Sequence, residues 1–176
     1  GILPTPAIGG VGVVDDVTTA ATIAFKAADE DILLIGATSG WLGQSSWLAT
    51  VCGREDGAPP PVALATERRN GEFVRSLIVA RRLTAAHDLS EGGLAVGLAE
   101  MAVAGGVGAS MDALPAGKSH AVLFGEDQAR YVVTCRPGDT VAILSQAAAA
   151  GVPAERLGAT GGDALRLPDE EPILLE

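Results

Sequence analysis

The stretch AHDLSEGGLAVGLAEMA combines a histidine, acidic side chains and a Gly-Gly pair. Asp88 and Glu91 offer the carboxylate oxygens that Mg²⁺ prefers, and His87 can donate a hydrogen bond to a phosphate. Gly92 and Gly93 would let an anion reach the free N–H groups of a helix start. The same glycines would also admit a neighbouring backbone, so the residues alone support ligand binding and close packing about equally.

A second glycine-rich turn, GATSGWLGQSS, enters a helix and places Gly43, Ser45 and Ser46 at or near its first turn. These residues are candidates for phosphate binding because a helix start presents unpaired N–H groups. The turn lacks the lysine of a P-loop, so a packed turn is the favoured alternative.

A third polar run, FGEDQAR, precedes a strand and concentrates Glu126, Asp127 and Gln128. Surface solvation is the ordinary role of such side chains. By itself the run indicates no particular chemistry.

Composition limits the class of protein and of partner. With 176 residues and 48% hydrophobic content, residues 1–176 are expected to form one domain. Twelve Lys and Arg against 22 Asp and Glu give a net charge of −10, which opposes binding to nucleic acid or anionic lipid.

No apolar run reaches the roughly 18 residues of a membrane span. Cys52 and Cys135 are expected to be buried or incidental thiols, which fits a reducing, cytoplasmic setting.

The elements that would position these groups alternate between strands and helices. Strands are expected at 7–14, 22–25, 31–37, 107–112 and 129–135, with a last pair around AERLGATGG and ALRLP. Helices are expected after Gly43, from a Thr66 cap through Arg82, and over 140–151 with Gly151 as the stop. Such interleaving predicts an α/β (α+β) fold, a mixed β-sheet covered by helices.

The helix after the histidine is expected to begin at about Glu91, because apolar residues recur with helical spacing from Leu94 onward. Asp88 or Ser90 is the expected N-cap. We expect the surface at this helix start to be open, with Asp88 or Glu91 partly exposed.

Taken in order, four stretches resemble the C-terminal domain of the AIR-synthetase-related superfamily: PTPAIGGVGVVDDV, LLIGATSGWLGQSSWL, AHDLSEGGLAVGLAEMA and LFGEDQARYVV. They are most similar to the last such domain in large subunits of the phosphoribosylformylglycinamidine synthase family (formylglycinamide ribonucleotide amidotransferases). The resemblance covers nearly the whole chain. It implies the second-half C-terminal domain of a longer multidomain chain.

The resemblance implies a part of an ATP-dependent ligase of purine biosynthesis. In that family ATP activates formylglycinamide ribonucleotide, and ammonia from glutamine then gives formylglycinamidine ribonucleotide. The implied cofactors of the full-length enzyme are ATP or ADP and Mg²⁺. The implied partners are the N-terminal domains of the same subunit and a glutaminase subunit or domain. The fragment alone is expected to be inactive, because domains that carry most ATP and Mg²⁺ ligands are absent.

The candidate site residues follow from both lines of reasoning. The nucleotide or phosphate site would draw on the two helix starts, with Asp88 as a metal ligand: His87, Asp88, Ser90, Glu91, Gly92, Gly93, Gly43, Ser45 and Ser46. Glu126, Asp127 and Gln128 match a Glu-Ser-Gln run that lines the substrate site in the family's first half. Asp127 places a negative charge where that run has a hydroxyl, which disfavours an anionic ligand. No catalytic residue carries over.

Two alternatives stay open. One is a purely structural and interaction domain that supports the catalytic half of such an enzyme. The other is the C-terminal domain of a single-half synthetase of the same superfamily, similar to aminoimidazole ribonucleotide synthetase.

Overall fold

A mixed β-sheet forms the centre of the fold in the computed structural model, which describes residues 8–175. Within those residues the strands are β1 Asp31–Ile35, β2 Ala85–Asp88, β3 Ala109–Met111, β4 Tyr131–Cys135, β5 Ala154–Thr160, β6 Ala164–Arg166 and β7 Ile173–Leu174. Their order across the sheet is β2-β4-β1-β5-β3-β6-β7. The β3–β6 pair is parallel and the other neighbouring pairs are antiparallel.

Helices cover both faces of this sheet. Within the described part of the chain they are α1 Ser46–Cys52, α2 Leu64–Val79, α3 Gly93–Gly105, α4 Ser119–Phe124 and α5 Pro137–Ala149, after a 3₁₀ turn at Val17–Thr19. The cluster of buried residues on one face includes the inner side of α3, and the cluster on the other face includes α2 and α5. The predicted mixed sheet covered by helices is therefore confirmed.

The central strand β1 shows why the chain folds this way. Ile32 and Leu34 belong to the α3 side of the core, whereas Leu33 and Ile35 belong to the side of α2 and α5. All four side chains are fully buried. Successive residues of a strand point to opposite faces, so a continuous apolar run fits a strand covered on both sides.

Two strands predicted near the amino terminus are wrong. Residue 7 lies outside the described residues, and 8–14 form no strand and are exposed. A strand needs a hydrogen-bonded neighbour, and none of the described sheet strands pairs with 8–14. Residues 22–25 are also irregular. Here Phe25 donates its N–H to the Met101 carbonyl at 3.1 Å, which covers the end of α3 instead of joining the sheet.

Helix ends differ from the predictions for identifiable reasons. α1 ends as predicted at Gly53, whose φ of 62° is the left-handed conformation that favours glycine. α2 begins before the predicted Thr66 cap because the Ala63 carbonyl already accepts the Thr66 N–H. It ends before Arg82, since Arg81 adopts a left-handed φ of 54°. α5 begins early because Pro137 suits a first helical position.

The predicted start of α3 is also wrong. β2, which the sequence did not predict, continues through Asp88, so this residue lies in the sheet and is not an N-cap. Ser90 is not the N-cap either, since its carbonyl accepts the Gly93 N–H in a turn. The cap is Gly92, and the helix begins at Gly93 rather than about Glu91.

Candidate functional site

Glu126 joins the two helix starts that the sequence singled out. One oxygen of its carboxylate accepts the Ser46 N–H at 2.8 Å and the Gly92 N–H at 2.9 Å. Its own N–H donates to the Trp41 carbonyl at 2.9 Å. The run at 125–130 therefore holds the glycine-rich turn and the β2–α3 turn together. A carboxylate beside a helix start is favourable because the helix dipole is positive there.

Asp127 binds the glycine-rich turn in the same way. Its carboxylate accepts the Ser39 N–H at 3.1 Å and the Gly40 N–H at 2.8 Å. The residue is only 8% exposed. The negative charge of Asp127, which stands where the resembled run has a serine, is therefore balanced by backbone N–H groups of this domain.

Arg130 lies beneath these contacts and was missed by sequence reasoning. Its guanidinium donates to the carbonyls of Gly125 and Asp127 and to the Thr38 hydroxyl, and the residue is 1% exposed. Burial lowers the pKa of Arg130, whereas the charge of Asp127, 3.9 Å away, raises it. An arginine placed directly before the buried strand β4 was the available signal.

Asn70 is a second residue that the sequence prediction missed. It lies on α2 and donates its amide to the Ala129 carbonyl at 2.9 Å, where Ala129 has a left-handed φ of 59°. Its position three residues before Phe73 and seven before Leu77 puts it on the buried stripe of the helix. A polar side chain on an apolar stripe was the signal that would have found it.

The glycines at the start of α3 are required by the backbone. Gly92 and Gly93 have φ values of 76° and 64°, a conformation that L side chains rarely adopt. A Cβ on Gly93 would lie 2.4 Å from the Gly125 carbonyl oxygen and 3.0 Å from that of Leu123. Close backbone packing therefore accounts for Gly93 in this structure.

The predicted residues of the glycine-rich turn also make internal contacts. Ser45 caps α1 by accepting the Leu48 N–H at 3.2 Å, and its hydroxyl donates to the Leu42 carbonyl at 2.8 Å. A Cβ on Gly43 would lie 2.4 Å from the Ala58 carbonyl oxygen. Gln44 has a left-handed φ of 55°, a conformation that glycine adopts more readily.

His87 lies beside Asp88, with its Nδ1 3.5 Å from an Asp88 carboxylate oxygen, but it does not border the cavity of Ser90 and Gln128. Its Nε2 lies 2.8 Å from a carboxylate oxygen of Glu100, and its Nδ1 is buried without a hydrogen-bond partner. It borders a large apolar groove along α3, whereas Asp88 and Ser90 border a different and smaller cavity.

The smaller cavity gathers the exposed candidates. It has a volume of about 170 Å³ and is bordered by Asp88, Ser90 and Gln128, together with Glu67 and Tyr131. Asp88 has a side chain that is 73% exposed, and Glu91 is exposed as well, as expected. The helix start itself is not open, because Gly92 and Gly93 are buried and the Gly92 N–H already donates to Glu126. Burial raises the pKa of Tyr131, and the charges of Glu67 and Asp88 raise it further.

Metal-binding capacity in this cavity is limited to single carboxylates. Among residues 8–175, no group of three His, Cys, Asp or Glu side chains gathers closely enough to hold an ion by itself. Mg²⁺ commonly binds one or two carboxylates together with phosphate oxygens and water. Asp88 and Glu67 fit that pattern in the type of their donor atoms.

No helix within 8–175 combines the length and the apolar character that a membrane crossing requires.

Comparisons with known proteins agree with the fold and the motifs. The chain is 59% identical over 177 residues to "Phosphoribosylformylglycinamidine synthase subunit PurL" of Azorhizobium caulinodans, covering 100% of this chain and 24% of that relative. It thus spans about a quarter of the length of the curated relatives it matches.

Solved structures show the same fold. PurL of Thermotoga maritima complexed with FGAR has a TM-score of 0.74 at 15% identity, covering 90% of this chain and 29% of that one. The same protein complexed with ATP has a TM-score of 0.67 at 16% identity, covering 90% and 26%. The family model described as "AIR synthase related protein, C-terminal domain" matches residues 28–167. Since that match covers well over half of the chain, the chain belongs to the AIR synthase related C-terminal domain family.

Proposed function

We propose that this domain acts within a phosphoribosylformylglycinamidine synthase subunit, an ATP-dependent ligase of purine biosynthesis. The reaction joins glutamine-derived ammonia to formylglycinamide ribonucleotide and gives formylglycinamidine ribonucleotide. The observation that carries the proposal is the 59% identity, over the full chain, to a relative of that name. Because this chain matches only 24% of that relative, the activity is assigned to the longer subunit.

The share of the relatives' length also bears on the single-half alternative. A subunit of two tandem halves, each with an N-terminal and a C-terminal domain, would devote about a quarter of its length to one such domain. The chain covers 24% of its relative, which supports the arrangement of two tandem halves. In a single-half synthetase, one such domain would make up about half of the full length. The proposed partners are therefore the N-terminal domains of the same subunit, and a glutaminase that supplies ammonia. The proposed compartment is the cytoplasm.

Within the subunit, this domain would form one wall of a nucleotide-phosphate site at the cavity of Asp88, Ser90 and Gln128. The cavity's volume of about 170 Å³ suits one end of a ligand, because complete small-molecule pockets are about 300–1,000 Å³. The Ser90 hydroxyl and the Gln128 amide can donate to phosphate oxygens.

Mg²⁺ is proposed as the companion of the phosphate at this wall. The carboxylates of Asp88 and Glu67 both border the cavity, and they would repel a bare phosphate. The bound ion would supply positive charge between the carboxylates and the phosphate. Asp88 is the proposed ligand because its side chain is exposed.

A scaffold role is the second candidate, and the glycine-rich turn favours it. The N–H groups of Ser39, Gly40 and Ser46 already donate to the carboxylates of Asp127 and Glu126. A phosphate would have to displace one of these carboxylates to reach them. We therefore propose that the turn positions the fold, and that any ligand contact lies at the exposed cavity.

Nucleotide titration of the intact subunit distinguishes these two roles. With Asp88→Asn, a phosphate wall predicts at least a tenfold loss of Mg²⁺-nucleotide affinity at an unchanged melting temperature. Asp163→Asn, at another exposed aspartate, is the matched control and should bind like the wild type. Equal affinity of all three proteins would leave the scaffold role.

A further inference from the structure

A second cavity adjoins the proposed phosphate wall. It has a volume of about 280 Å³ and shares Gln128 and Ala129 with the smaller cavity of Asp88 and Ser90. The smaller cavity, at about 170 Å³, has room for only one end of a ligand. Together the two volumes fall within the roughly 300–1,000 Å³ of complete small-molecule pockets. The second cavity is therefore the place in this domain for the other end of the ligand.

The walls of the second cavity are mainly apolar and are held rigidly. The apolar residues that border it are Trp41, Pro60, Pro61, Ala37, Ala63 and Ala129. The indole N–H of Trp41 donates to the Ala58 carbonyl at 2.9 Å, and the Trp41 carbonyl accepts the Glu126 N–H at 2.9 Å. Each proline fixes its own backbone φ. A ligand that enters this cavity thus meets a preformed surface.

The charge of the second cavity disfavours a second phosphate. None of the residues that line it within 8–175 is Lys, Arg or His, and its one charged side chain is the carboxylate of Asp127. The N–H groups of Ser39 and Gly40 already donate to that carboxylate. A negatively charged group would be repelled and would find no free cation there. The cavity therefore suits a neutral part of a ligand.

Polar groups at the border of the cavity narrow the choice further. The half-buried Thr66 offers a hydroxyl and the exposed Gln128 offers an amide, and each can both donate and accept hydrogen bonds. A purely aliphatic group would leave these polar groups without partners once it covered them. A planar heteroaromatic base has an apolar face that stacks on aromatic side chains and polar edges that form hydrogen bonds.

We propose that the cavity of Trp41, Pro60 and Pro61 receives the base of a nucleotide whose phosphate binds at the cavity of Asp88 and Ser90. The proposal rests on the proposed phosphate wall. It names the ligand of that wall as a nucleotide with a base, rather than phosphate or a sugar phosphate alone. Within the glycine-rich turn it uses the side chain of Trp41, while the N–H groups stay bound to the internal carboxylates.

Calorimetric titration of the intact subunit with Mg²⁺-ADP and with Mg²⁺-pyrophosphate tests the proposal. Trp41→Leu should weaken ADP binding about tenfold and leave pyrophosphate binding unchanged, because only ADP has a base that can stack. Trp47→Leu is the matched control and should bind both probes like the wild type. Trp47 is also half-buried, but it stacks on His120 and borders neither cavity. Asp88→Asn should weaken the binding of both probes.

The pattern across the two probes separates the base cavity from the phosphate wall. An equal loss for both probes with Trp41→Leu would indicate a disturbed fold, and no loss would place the base elsewhere; either result would overturn the proposal. If only Asp88→Asn weakens both probes, the phosphate wall stands and the base cavity fails. If Asp88→Asn weakens neither probe, the phosphate wall fails and the base cavity fails with it.

Photolabelling of the wild-type subunit gives a second test that needs no variant. An ADP derivative with an azide on its base should label the tryptic peptides 27–54 and 55–68, which contain Trp41 and the two prolines. Excess unmodified ADP should prevent this labelling. Labelling that is confined to other peptides of the subunit would overturn the proposal.

Discussion

Gly92 donates its backbone N–H to the carboxylate of Glu126 at 2.9 Å, and this contact closes the turn that looked most like an anion site in the sequence. The same oxygen also binds the Ser46 N–H at the start of α1. An internal carboxylate thus takes the position that an external anion would take at a helix start.

Glu126→Ala is expected to lower the free energy of unfolding by about 2–4 kcal/mol, because it leaves two part-buried N–H groups without an acceptor. Glu126→Gln should cost about half as much, since the amide oxygen still accepts while the charge is lost. Urea denaturation measures both. Glu72→Gln, in an exposed pair with Arg75, is the control and should change stability little. Equal stability of the Ala and Gln variants would contradict the role assigned to the carboxylate.

Gly93→Ala should be more damaging than Gly53→Ala, although both glycines have nearly the same φ, 64° and 62°. At Gly53 a Cβ meets nothing within 4 Å, so only the left-handed conformation costs free energy, about 1–2 kcal/mol. At Gly93 the clash with the Gly125 carbonyl adds about 1–3 kcal/mol. Thermal unfolding of the two variants measures the difference, and equal melting temperatures would exclude close packing as the reason for glycine.

The parts of the fold that the sequence predicted are those with local signals. The apolar run at β1 and the glycine after α1 depend on residues close to one another in the chain. The strand predicted at 7–14 failed because alternating apolar residues do not reveal whether a pairing strand exists. β2 was missed because Asp88 resembles a helix cap when viewed without its pairing to Tyr131 of β4.

The candidate site was predicted as a set of turns, but not as a set of contacts. Glu126 is far along the chain from both Ser46 and Gly92, so their shared hydrogen bonds arise only from tertiary folding. The same is true of Asn70 and Ala129. Sequence reasoning found acidic residues and glycine-rich turns separately, and the missing information was which turn each carboxylate would meet.

Arg130→Lys should destabilise the fold although the positive charge is kept. The guanidinium donates in several directions at once, to Gly125, Asp127 and Thr38, and a single ammonium group cannot reproduce that fork. We expect a loss of about 2–4 kcal/mol in the free energy of unfolding, as for other broken buried networks. Arg75→Lys, in an exposed pair, is the control and should be nearly neutral. A neutral Arg130→Lys would show that charge alone is required.

Arg156→Met should remove stability in a pH-dependent manner through Asp31, at 2.7 Å, and through the more exposed Asp112, at 2.6 Å. Burial by itself raises the pKa of Asp31, but hydrogen bonds from Thr140 and Arg156, with the charge of Arg156, outweigh it and bring the pKa below the ordinary 3.8. A pKa that is lower in the folded state contributes stability above the unfolded value, and that contribution is lost as pH falls through the folded value.

The variant should therefore lose about 1–3 kcal/mol at pH 7, the usual range for a charged hydrogen bond. The difference from the wild type should begin to shrink below about pH 4, the ordinary range for Asp, and should disappear only below the lowered folded-state pKa of Asp31, where the carboxyl is protonated in both proteins. Urea unfolding at pH 7 and at pH 3 measures the two differences. Arg54→Met, which breaks the exposed pair with Asp56, is the matched control and should change stability little at either pH. A loss from Arg156→Met that is the same at both pH values would show that packing of the arginine, rather than its interactions with Asp31 and Asp112, stabilises the fold.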